Sequence, residues 1–139
     1  MQRAVILIGV RKTGKLQPLQ AVSSGVQAMK SWAEAQGIGA NDIITITDDS
    51  GPVTARVIKH AVRKITDRGT CEQLIVYFAG HGVNIRYGEY WLLSGAPDDT
   101  QEAVNVEGSV VLARQCGIPH VVFISDACRT AAEGVLAQR

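Results

Sequence analysis

His81 and Cys128 are the two residues of this 139-residue chain best suited to act together in a reaction. Each follows an apolar run. Leu74-Ile75-Val76-Tyr77-Phe78-Ala79 leads into Gly80-His81-Gly82, and Val121-Val122-Phe123-Ile124-Ser125 leads into Asp126-Ala127-Cys128-Arg129. Such runs read as buried parallel strands, and open α/β sheets place their chemistry at the carboxyl ends of such strands. A thiol and an imidazole delivered to one sheet edge form a nucleophile and its proton carrier. The thiolate attacks a carbonyl carbon and the imidazole protonates the leaving amine. The developing oxyanion needs N–H donors, and the backbones of Cys128 and Gly82 are the natural ones, since a glycine lets a substrate approach closely.

The elements that must carry these residues alternate along the chain. Residues 4–9 read as a first strand, followed by a polar loop through Gln17-Pro18. Leu19, Val22, Val26, Met29 and Ala33 fall at helical spacing, with Gly37 and Gly39 ending that helix. Residues 43–47 read as a second strand. Asp48-Asp49-Ser50-Gly51-Pro52 is a turn in which Ser50 is a candidate cap and Pro52 suits a first helical turn. Ile58, Ala61, Val62 and Ile65 form the stripe of a second helix. After the strand to Ala79, Glu89-Tyr90-Trp91-Leu92-Leu93 reads as one strand of a hairpin. A helix is expected over 106–115, weakened by Gly108, and a last strand over 120–125. This order predicts an α/β fold, a three-layer sandwich with a mostly parallel sheet and helices on both faces. The last strand is apolar throughout and should be paired on both edges, yet the sequence offers no further strand. Additional sheet is therefore expected from a second chain or a C-terminal part.

The bulk composition excludes several functions. Fourteen Lys and Arg against thirteen Asp and Glu leave no basic surface for nucleic acid and no polybasic membrane anchor. The apolar run at 4–8 is too short for a membrane span, and no signal-peptide cleavage site follows it. Three cysteines at irregular spacing form neither a disulfide framework nor a zinc signature, so a reducing, cytoplasmic setting is expected. Cys116 reads as a buried small hydrophobe and Cys71 as an incidental thiol. His60 reads as part of a solvated helix face and His120 as structural.

Tyr77-Phe78-Ala79-Gly80-His81-Gly82 and Ser125-Asp126-Ala127-Cys128-Arg129-Thr130 together resemble the histidine and cysteine motifs of the caspase-like cysteine peptidases: caspases, metacaspases, orthocaspases and other bacterial relatives. Ala127-Cys128-Arg129 keeps part of the caspase Gln-Ala-Cys signature, whose histidine lies about fifty residues upstream. The resemblance covers almost the whole chain, as the large-subunit half of that fold. It implies a cysteine endopeptidase of the C14 type, made as a zymogen and matured by proteolysis, with a C-terminal small-subunit segment completing the sheet. Where caspases carry glutamine, this chain carries Asp126, as metacaspases and orthocaspases do. The resemblance places that acid in the pocket for the residue before the scissile bond, where a carboxylate favours Arg or Lys. A carboxylate that caps the turn after its strand is the plainer reading of Asp126. Arg11 lies near where caspases place a basic residue that selects aspartate; its plainer reading is a solvated loop charge. Cleavage after arginine would also account for a chain that ends in Arg139. Many metacaspases need calcium, and Asp98 and Asp99 are paired carboxylates, but no run of spaced oxygen ligands supports a site. No cofactor is expected.

Two other classes compete with this reading. Gly9-Val10-Arg11-Lys12-Thr13-Gly14-Lys15-Leu16 matches a phosphate-binding loop except at its last position, where Leu16 lacks the hydroxyl that would hold Mg²⁺. With that loop, Asp126 would become the metal-binding acid of a nucleotide hydrolase. The other class is a catalytically silent caspase-like scaffold that binds partners.

Overall fold

The computed structural model describes residues 1–86 and 88–130; Arg139 lies outside them. The described residues form an α/β fold with one mixed sheet of six strands and three α-helices. The strands are β1 (Arg3–Gly9), β2 (Ile43–Thr47), β3 (Gln73–Ile85), β4 (Gly88–Leu92), β5 (Ala103–Asn105) and β6 (His120–Thr130). The helices are α1 (Val22–Ala35), α2 (Ala55–Thr66) and α3 (Val106–Ala113).

β3 organises the sheet. Its first half pairs with β1 and its second half, antiparallel, with β4. Residues 73–83 also pair with β6 in parallel, so β6 occupies the opposite edge. The parallel part therefore reads β2-β1-β3-β6, and β4 and β5 add an antiparallel extension. Val5, Leu7, Ile75 and Tyr77 pack beneath Val22, Val26 and Ala33 of α1. Ile6, Ile8, Val76 and Phe78 face the other way, against Ala61 and Ile65 of α2. Both faces of β1 and β3 are thus covered, which is why their sequences lack the polar alternation of a half-exposed strand.

Several elements differ from expectation. β3 does not stop at Ala79 but continues through His81 to Ile85, because the returning β4 supplies partners for that extension. β6 likewise runs past Ser125 to Thr130. Helix α2 is capped by Thr54, whose Oγ1 accepts from Val57 N, and not by Ser50. The chain stays extended through Val53, whose side chain is buried and whose N–H donates to Ser94 Oγ. Leu19 precedes α1, where its N–H donates to Arg11 O. Gly108 sits in the first turn of α3, where its N–H donates to Asn105 Oδ1.

Among the described residues β6 pairs only with β3, and its Val122 is 39% exposed. An apolar strand with one open edge is a surface that ordinarily finds cover. No described helix is long and apolar enough to cross a membrane.

Candidate active site

His81 and Cys128 are register partners on adjacent parallel strands. Their Cα atoms are therefore about one strand spacing apart, roughly 4.8 Å, and their side chains leave the same face of the sheet. Strand alternation identifies that face as the α1 side, which also carries Ile75, Tyr77 and Ala79. The histidine is buried, 6% exposed, while the cysteine is exposed.

One partner of His81, which no side chain in the sequence marks, is a backbone oxygen. Nε2 lies 2.8 Å from Gln17 O, in the loop between β1 and α1. A carbonyl only accepts, so in the neutral ring the proton resides on Nε2 and Nδ1 is the basic nitrogen. The loop that brings Gln17 there is itself anchored. Val10 N donates to Ala79 O, the buried Thr13 Oγ1 donates to Leu92 O at 3.3 Å, and Gly14 N donates to Ser94 O.

Those same bonds bear on the phosphate-loop alternative. A phosphate cradle needs several backbone N–H groups turned toward one anion. Here the N–H groups of Val10, Gly14, Leu16 and Leu19 donate to protein carbonyls, and that of Lys12 to the Asp48 carboxylate at 2.8 Å. The helix that should follow Lys15 begins only at Val22.

The glycines flanking His81 answer to the opposite face. A Cβ on Gly82 would lie 2.7 Å from the Ala127 methyl, and one on Gly80 2.7 Å from the Phe78 ring. A glycine at position 82 predicts close substrate access, but in the structure Gly82 is buried between β4 and β6, and the vacated space is filled by protein. With β3 bare at these positions, Trp91 of β4 reaches across it. Its indole stacks on Phe78 at 4.8 Å and donates Nε1–H to Ser125 Oγ of β6 at 2.9 Å. Ser125 Oγ donates onward to Glu89 Oε2 at 2.7 Å. This chain of contacts ties both flanking strands together behind the His81–Cys128 pair.

Asp126, two positions before Cys128, emerges on the same face as the cysteine and is exposed. Its Oδ2 accepts the Tyr77 hydroxyl proton at 2.8 Å. The space for this bond lies under Gly25 of α1, where a Cβ would come within 2.6 Å of the Tyr77 hydroxyl oxygen. Burial, and then the neighbouring Asp126 carboxylate, push the Tyr77 phenol well above its ordinary value. Arg11 is exposed in the loop beyond β1, at the same end of the sheet, and its side chain makes no hydrogen bond or ion pair among the described residues. Asp99 uses its carboxylate to accept from Gln101 N, capping a short 3-10 turn. Among the described residues no three His, Cys, Asp or Glu side chains converge as a metal site would require. Cys71 is half-buried, and that burial raises its thiol above its ordinary value.

Three contributors had no place in the sequence reading: Gln17, Gly25 and the Tyr77 hydroxyl. Gly25 carried a legible signal, since a glycine inside an amphipathic helix marks a close approach. No family model and no curated protein matches this chain.

Proposed function

We propose that this chain is the large-subunit part of a caspase-like cysteine endopeptidase that cuts after Arg or Lys. The observation that carries the reading is the pairing of His81 with Cys128 across two parallel strands, on one face. In the proposed reaction the Cys128 thiol passes its proton to His81 Nδ1, and the thiolate attacks the scissile carbonyl carbon. The N–H of Cys128 stabilises the oxyanion, whereas Gly82, paired on both sides by β4 and β6, gives its N–H to the sheet. His81 then gives its proton to the departing amine, leaving a thioester on Cys128. Water, deprotonated by His81, attacks that thioester and releases the acid and the thiol. The Nε2 contact with Gln17 O supports this assignment, because it holds the ring in the tautomer the steps require.

Asp126 is assigned the recognition of the basic side chain, supported by its exposure and its position on the nucleophile's face. The open edge of β6 supports a partner segment, the C-terminal part of the same precursor, adding strands beside Cys128. The zymogen character, the bacterial affiliation and the cytoplasmic setting belong to this proposal, the last supported by three free cysteines.

Fluorogenic peptides with Arg or Asp before the scissile bond, given to wild type and Cys128→Ala with the complementary segment present, test the reading. Arginyl cleavage that disappears in Cys128→Ala is the expected result. Aspartyl cleavage would transfer specificity to Arg11, and silence on both peptides would leave the partner-binding scaffold.

A further inference from the structure

The contact between Tyr77 and Asp126 deepens the proposed site and rests on that reading of it. Tyr77 is 3% exposed in an otherwise apolar stretch of β3, so its hydroxyl must find a partner inside the protein. The partner is a carboxylate on the neighbouring strand, and the bond is charge-assisted. Local design accommodates it in two ways. Ala79, the residue paired with Asp126, is small and leaves a lane for the tyrosine ring to lean diagonally across the strands. Gly25 leaves the gap in α1 that the hydroxyl enters.

We propose that Tyr77 is a positioning residue for substrate selection: its hydroxyl, seated beneath Gly25, holds Asp126 Oδ2 so that Oδ1 is presented to the cation of an arginyl or lysyl side chain. An aspartate on an exposed strand otherwise samples several rotamers, and a carboxylate fixed in advance binds its cation without losing that freedom. The phenol stays protonated far into the alkaline range, so it remains a donor wherever the enzyme works.

Two peptides identical except for arginine or citrulline before the scissile bond separate this role from a structural one. Citrulline keeps the length and hydrogen-bonding shape of arginine without its charge. Tyr77→Phe should lower kcat/KM for the arginyl peptide about tenfold, mostly through KM, and leave the citrullinyl peptide within about twofold. Gly25→Ala, whose methyl displaces the hydroxyl, should act in the same way. In an Asp126→Asn background Tyr77→Phe should have no further effect on arginyl cleavage. Calorimetric binding of both peptides to Cys128→Ala, with and without Tyr77→Phe, repeats the comparison without turnover. Equal losses on the two peptides, or an unchanged arginine preference in an enzyme that cuts after arginine, would overturn the positioning role alone. A wild-type protein that neither cuts nor binds arginyl peptides would overturn it together with the proposed function.

Discussion

Gly82→Ala tests how tightly the back of the sheet constrains the front. The added methyl carbon would start 2.7 Å from the Ala127 methyl, whereas non-bonded carbons settle at about 3.5–4.0 Å. Neither group has a torsion with which to escape, so β3 and β6 must part by about 1 Å. Overpacking of this kind costs about 1–3 kcal/mol, and replacing a strand glycine returns about 0.5–1 kcal/mol. The net loss expected in urea denaturation is about 1–2 kcal/mol, followed through the fluorescence of buried Trp91. The effect on peptide cleavage should be larger. Gly82 is the immediate neighbour of His81, and Ala127 of Cys128, so the separation opens the proposed reacting pair, and a 1 Å error costs about a hundredfold in rate. Ala127→Gly removes the obstructing methyl, so the double variant should regain both stability and rate. A Gly82→Ala protein as stable as wild type, or a cycle in which the two substitutions simply add, would refute the reasoning.

Further outcomes follow from other contacts. His81→Ala should abolish peptide cleavage and, because the ring is buried and bonded to Gln17 O, lower urea stability by about 1–3 kcal/mol. Trp91→Phe removes the indole donor to Ser125 and should cost about 1 kcal/mol in urea denaturation, with a loss of cleavage rate as the hairpin loosens. Thr54→Ala deletes the cap of α2 and should lower stability by about 1 kcal/mol without affecting cleavage, because α2 packs on the far face. The raised Tyr77 phenol has a pH signature. The folded state keeps its proton above pH 10 while the unfolded chain loses it, so stability is intact below about pH 10 and falls as pH rises beyond that value. Denaturation midpoints measured across pH 9–11 should fall more steeply in wild type than in Tyr77→Phe.

The alternation of strands and helices is legible in the sequence, because buried parallel strands and amphipathic helices leave periodic traces. The sequence also marked His81 and Cys128, each behind an apolar run that only a covered strand can accommodate. The lengths of β3 and β6 were not legible: residues 81–85 are extended through pairing with β4, the returning strand of the hairpin, whereas the glycines at 80, 82 and 88 read as loop. Nor was the reason for Gly80 and Gly82, whose missing side chains are required by Phe78, Trp91 and Ala127 on the reverse face. Gln17 contributes a backbone oxygen, and any residue type carries one, so no side-chain pattern could have identified it. The register that sets His81 opposite Cys128 and brings Tyr77 to Asp126 emerges with the folded sheet. Register arises from hydrogen bonds between strands dozens of residues apart, and shifting it by one residue would send the facing side chains to opposite sides of the sheet.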